Sequence, residues 1–212
     1  DSMSSSGGME GVKVGRLTIG LVTREPHGAE KEKLVYRVVG RTPVGVGVHK
    51  SLPLTTLTEA QICDIFSGKV KSWNEVGGGD LKITVLTRNR DDINLDTMKA
   101  RMGCFKDLRL PENAVALIRG SEVLDAIDKR PGMVGIVNIA GSLAERPNVK
   151  ALAVGGVAPT VEAVKSGKYK FYAERGVVTL GQPQGTVRKF LDFVASAEAQ
   201  KLLAQRGMIP VM

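Results

Sequence analysis

The residues of this 212-residue chain that could do chemistry are hydrogen-bond donors rather than nucleophiles. Near the start stands SSSGG, Ser4 to Gly8, hydroxyls followed by two positions without a Cβ. Serine hydroxyls, glycine-loop amides and a helix N-terminus together make a shell that accepts an anion without steric cost. The same composition also favours a flexible start. Two arginines follow stretches that read as strands: Arg24 after TIGLVT, and Arg88 at the end of KITVLTR. A guanidinium offers an oxyanion a planar, two-pronged partner; surface solvation is the other use for both. Catalytic patterns are missing: there is no nucleophile elbow, no phosphate-binding P-loop and no metal constellation, and GGGD is too short for a dinucleotide fingerprint. His27 and His49 are isolated, and Cys63 and Cys104, the only cysteines, lack CxxC spacing, which argues against structural zinc. The cysteines are either two buried thiols or one disulfide, which export would permit. The expectation is a binding protein with no cofactor and no enzymatic activity.

Composition narrows the class further. Apolar residues make up 42% and charged residues 25%, ordinary for a globular chain long enough for one large domain or two small lobes. The net charge of +8 suits an anionic partner, but aromatics are only 4% and no basic cluster has interleaved aromatics, so no nucleic-acid partner is expected. No apolar run approaches the roughly 20 residues that span a bilayer. The opening DSMSSSGGMEG has no apolar signal core, so the protein is either cytoplasmic or exported on a signal that this sequence lacks.

The elements that must position the donors alternate between strand and helix. RLTIGLVT reads as a strand with Leu17, Ile19 and Leu21 alternating inward. Leu34–Val39 and Val44–His49 read as two strands, broken by Gly40 and Pro43. Thr58 with Gln61 forms a capping box ahead of Ile62, Ile65 and Phe66, and Gly68 closes that helix. Strand Lys82–Arg88 leads into the polar NRDDINLD, and a helix is expected over Leu95–Met102. Ser121 reads as the cap of a helix carrying Val123, Leu124 and Ile127. Gly132–Ile139 reads as a buried strand, Gly176–Leu180 as another. A helix with Val187, Phe190, Leu191 and Val194 follows, then a last helix capped by Ser196 and stopped near Gly207. Such alternation argues an α/β fold with largely parallel sheets.

Five stretches, in order, resemble the phosphate-binding proteins of ABC importers. They are SSSGGMEGVKVGRLTIGLVTRE; LTEAQICDIFSGKVKSWNEVGG, with its IF-x-G-K turn and tryptophan; RPGMVGIVNI; VKALAVGGVAPTVEAVKSGKYKFYAERGVV; and VRKFLDFVASAEAQKLLAQRGMIPV. The resemblance implies a two-lobe, type II periplasmic-binding-protein-like α/β fold with a ligand cleft between the lobes. One lobe would be residues 1–48 with 172–212 and the other 49–171, with crossings at Val44–His49 and near Lys168–Tyr172. Trp73 would plug the side of the second lobe, and Gly77–Gly79 would turn the chain into the next strand. The implied ligand is phosphate or a related small oxyanion, bound by Ser5, Ser6, Gly7, Thr23, Arg24, Arg88 and Asn94. The implied partner is a membrane ABC permease and the implied location extracytoplasmic, periplasmic or at the cell surface.

Departures from the family's pattern point to a weakened site. The family's first strand and glycine-threonine loop are not in this sequence. Thr23 stands where a phosphate-selective member has an acceptor aspartate. The donor-rich helix start after the arginine has become NRDDINLDT, where Asp91 and Asp92 place negative charge near an anion unless Arg88 and Arg90 pair with them. Asp92 and Asn94 also suit helix capping. Weak or absent phosphate binding is therefore expected. The alternative function is a non-transporting sensory or interaction module on the same scaffold, with a degraded site.

Overall fold

A computed structural model describes residues 5–88, 92–139, 143 and 145–211. The chain divides into two units: residues 1–42 with 173–212, and residues 43–172. It passes from one to the other on two strands, between Thr42 and Pro43 and between Tyr172 and Ala173.

The first unit contains helix α1 (Ser5–Lys13), strand β1 (Gly20–Val22) and the start of β2 (Leu34–His49). After the second unit it adds β8 (Tyr172–Leu180), α6 (Gly185–Val194), α7 (Ala197–Gln205) and β9 (Ile209–Pro210). β8 lies beside both β1 and β2, and β1–β8 and β2–β9 pair antiparallel. Met9 and Val12 of α1 pack on Val22 and Val178 to form the core. The expected inward alternation of Leu17, Ile19 and Leu21 is incorrect. The strand is only Gly20–Val22, its buried residues are Gly20 and Val22, and Leu21 is 75% exposed. Gly20 decides the register, because a Cβ there would lie 2.8 Å from the Gly8 carbonyl oxygen. The side that approaches α1 must therefore carry the glycine.

The second unit holds the rest of β2, with β3 (Thr56–Leu57), α2 (Glu59–Phe66), β4 (Thr84–Arg88), α3 (Ile93–Arg101), β5 (Val115–Leu117), α4 (Gly120–Lys129), β6 (Met133–Asn138), β7 (Val149–Val154) and α5 (Val161–Lys165). Its strand order is β3-β7-β2-β6-β4-β5. The sheet is mixed rather than largely parallel: β4 is parallel to β5 and β6, and β3 to β7, but β2 runs antiparallel to β6 and β7. β2 is also one strand of 16 residues where two were expected. Gly40 and Pro43 do not break it. Gly40 pairs with Pro210, and Pro43, which has no amide to donate, offers its carbonyl to the Ile139 amide at 2.9 Å.

Local signals fix the helices of this unit. The Thr58 hydroxyl accepts the Gln61 amide at 3.1 Å and the Gln61 side chain accepts the Thr58 amide at 2.9 Å, so the box closes as the spacing predicts. Gly68 takes φ +75° after the helix end. Ser121 is not a cap. Arg119 holds that position, and the Glu122 carboxylate accepts the amides of Ile118 and Arg119, both at 3.0 Å. Trp73 is fully buried and donates from Nε1 to the Gly132 carbonyl at 3.1 Å. Gly77 and Gly79, both at φ +86°, then turn the chain toward β4.

Cys63 on α2 and Cys104 on the 3-10 turn Gly103–Phe105 form a disulfide across Cα atoms 6.2 Å apart. The rings of Phe66 and Phe105 meet beside it at 5.5 Å between centroids. Closing a loop of this length removes about 4 kcal/mol of unfolded-chain entropy. A Cys63→Ser, Cys104→Ser chain should lose about 2–4 kcal/mol in urea unfolding, and the parent should lose a similar amount under reductant.

Candidate functional site

In the first unit the expected donors converge. α1 is seated on β1 through the Gly8–Gly20 approach, which brings its N-terminal turn to the chain leaving β1. Ser5 Oγ accepts the Thr23 amide at 3.0 Å and meets Thr23 Oγ1 at 3.0 Å. Arg24 donates from Nη2 to Ser6 Oγ at 3.0 Å. Ser5, Ser6, Gly7, Thr23 and Arg24 are all partly buried. They form one polar cluster at the positive end of the helix dipole, where negative charge is stabilised.

Glu30 completes the cluster and was not anticipated. Its carboxylate takes both prongs of Arg24, at 2.6 Å from Nη1 and 2.8 Å from Nη2, and also accepts the His27 amide at 3.2 Å. The Arg24 guanidinium, with the His27 amide and charge, holds the Glu30 carboxyl down at about 2 against the opposing effect of burial. Arg24 is thus a positioned group whose charge is already matched. It orients Ser6 but brings little net positive charge of its own to an anion. The signal in the sequence was faint: Glu30 stands three residues after His27, at the spacing of a capping box.

In the second unit Arg88 ends β4, level with Leu117 of β5, and donates from Nε to the Ile118 carbonyl at 3.3 Å. Asp92 caps α3, its Oδ1 accepting the amides of Asn94 at 3.2 Å and Leu95 at 3.3 Å. Burial pushes the Asp92 carboxyl up, against the pull of those amides and of the Arg88 charge. Asn94 does not cap. It is buried, and its Oδ1 has no hydrogen-bond partner among the described residues. Arg90 and Asp91 lie outside the described residues. Among the described residues no group of His, Cys, Asp and Glu could hold a metal ion.

The PBP superfamily domain model matches residues 1–198. The chain belongs to the PBP superfamily. Among its relatives, the phosphate-binding protein PstS of Bacillus subtilis is 29% identical over 211 residues, covering 98% of this chain and 69% of that protein. The phosphate-binding protein PstS of Borreliella burgdorferi is 23% identical over 169 residues, 76% of this chain and 60% of that one. A structure from Clostridium perfringens, described as a phosphate ABC transporter substrate-binding protein with bound phosphate, superposes with TM-score 0.86 at 26% identity over 99% of this chain and 85% of that one. An ABC-type phosphate transport receptor from Vibrio cholerae shares the fold, with TM-score 0.72 at 23% identity over 98% and 85% of the two chains. The superfamily's two-lobe α/β fold is therefore the fold of this chain.

The Arg24–Glu30 pair gives this superfamily member an acid-sensitive element. The Glu30 pKa is lower folded than unfolded, so its stabilisation is complete above about 4.5 and disappears as pH falls from there through about 2. Glu30→Gln removes this contribution. Its urea midpoint should vary less with pH across that window than the parent's, while Glu75 and Glu122, also held down by backbone amides, keep the rest of the acid limb.

Proposed function

We propose that this chain is the solute-binding component of an ABC-type importer, working outside the cytoplasmic membrane and taking phosphate or a related oxyanion. The observation that carries the reading is the cluster at the N-terminus of α1, where Ser5, Ser6, Thr23 and Arg24 are tied together by direct hydrogen bonds. The domain match and the phosphate-binding relatives support it. No helix among the described residues is long and apolar enough to cross a membrane; the proposed partner that carries the transport path is a membrane ABC permease.

The proposed ligands are the hydroxyls of Ser5, Ser6 and Thr23, the amide end of α1 at Gly7, the Arg24 and Arg88 guanidiniums, and Asn94. Affinity for phosphate is weak, because Glu30 matches the charge of Arg24 and Asp92 sits close to Arg88. A shell in which cations already hold carboxylates leaves less compensation for a desolvated dianion. The same pairing favours the second reading, a sensory or interaction module that has lost tight binding.

Calorimetric titration with phosphate at low ionic strength tests the proposal. Saturable binding is expected, with Arg88→Ala weakening it by about 10- to 150-fold, the loss of a charge-assisted hydrogen bond of roughly 1.5–3 kcal/mol. Absence of saturation with phosphate, sulfate, tungstate and molybdate would leave the second reading in its place.

A further inference from the structure

The second unit holds a cavity of about 580 Å³ that has no part in the proposed oxyanion site. It lies at the start of β4, where Lys82, Ile83 and Val85 line it, whereas Arg88 ends that strand. The length of β4, at about 3.3 Å per residue, separates its two ends by about 13 Å. Ile65, Ile83 and Val85, all buried, give the cavity an apolar floor, and the half-buried Val70 extends it.

One wall is the segment from Arg109 to Asn113, and it is fixed from several sides. The disulfide at Cys104 anchors the turn from which the segment leaves. The Leu108 amide donates to the Phe105 carbonyl at 3.3 Å, and the Pro111 carbonyl accepts the Ala114 amide at 2.9 Å. Pro111 sits so close to the end of α2 that a Cβ on Gly68, at φ +75°, would lie 2.7 Å from Pro111 Cβ. A cavity whose walls are already in place loses little freedom when it is filled.

Charge at this cavity is unbalanced. Lys71, Lys82 and Arg109 line it against one carboxylate, Glu112. None of the three cations has a carboxylate within ion-pair distance among the described residues. The Glu75 carboxylate feels the Lys71 charge, but it is held by the Lys71 and Ser72 amides, both at 2.8 Å. An occupant that suits both surfaces brings negative charge to the rim and an apolar body to the floor.

We infer that this cavity is a ligand site for a small organic acid with an apolar body. Its carboxylate meets Lys82 and Arg109, and its body lies on Ile65, Ile83 and Val85. Bare phosphate or sulfate is a poor occupant, because an apolar floor offers a desolvated oxyanion no donors. The inference is independent of the proposed function and uses none of the residues assigned to it.

Titration of the full chain with octanoate, followed by amide NMR shifts, tests it. Saturable shifts are expected at Gly68, Lys82, Ile83 and Asn113. Octylammonium, the same chain with the opposite charge, should bind at least about tenfold more weakly, and so should acetate, the same head group without the chain. Lys82 and Arg109 are exposed, so replacing them leaves the core intact. A Lys82→Gln, Arg109→Gln chain should bind octanoate about tenfold more weakly and phosphate as the parent does. Glu112→Gln, which removes the carboxylate of the rim, should bind octanoate about twofold to fivefold more tightly, a gain that no folding defect produces. Octanoate that does not saturate, that shifts amides elsewhere instead, or that binds no better than octylammonium overturns the inference. So does unchanged octanoate affinity in the Lys82→Gln, Arg109→Gln chain. An equal fall in phosphate affinity in that chain also overturns it, since both anions would then share one site.

Discussion

The close approach of α1 to β1 at Gly8 and Gly20 is the constraint on which the rest of the first unit depends. A Cβ at Gly20 would lie 2.8 Å from the Gly8 oxygen and 2.8 Å from Val178 Cγ2, and one at Gly8 would lie 3.3 Å from the Leu21 oxygen. No side chain fits at Gly20 without moving backbone. The contact seats Met9 and Val12 on Val22 and Val178, and it decides which face of a three-residue strand is buried. It also brings the first turn of α1 within hydrogen-bonding distance of Thr23. The polar cluster is thus a consequence of packing: the glycines that let the helix down onto the strand deliver Ser5 and Ser6 to Thr23 and Arg24.

The second unit is held by different means. Its long strand β2 is flanked by β6 and β7, and glycines again allow close packing, with Gly47 against Val137 and Gly135 against Val123. Away from that sheet the disulfide and the Phe66–Phe105 contact tie α2 to the turn after α3. Trp73 is tied by its indole N–H to the carbonyl of Gly132, whose φ of +94° and tight fit against the Lys82 carbonyl exclude a side chain. The stretch around the lone tryptophan is therefore architecture.

Signals confined to a few residues were legible in the sequence. The Thr58–Gln61 box, the Ser196 cap accepting Ala199, and the left-handed glycines at Gly68 and Gly207 depend on neighbours three or four positions away. The family's order of motifs carried the fold. What escaped had its cause elsewhere in the chain. Leu17, Ile19 and Leu21 look like the inner face of a strand until Gly8 forces Gly20 inward. Gly40 and Pro43 look like breakers, yet β2 runs through them on partners from β9 and from Ile139. In the site, the cluster of serines and Thr23 followed from resemblance, whereas Glu30 reached Arg24 through a loop that periodicity does not describe. The contact of Arg175 with Thr42 spans 133 positions. Electrostatic partners of that kind are set by tertiary structure, and a single sequence holds no local trace of them.

The central proposal is that the Ser5–Thr23 cluster of the first unit takes an oxyanion. Arsenate shares the charge and shape of phosphate and carries an anomalous scatterer, so crystals grown with it locate the ion directly. The account predicts a strong anomalous peak within hydrogen-bonding distance, about 2.7–3.2 Å from oxygen to donor, of Ser5 or Ser6 and of Thr23. A peak that touches none of Ser5, Ser6 and Thr23, or no ordered peak, would contradict it.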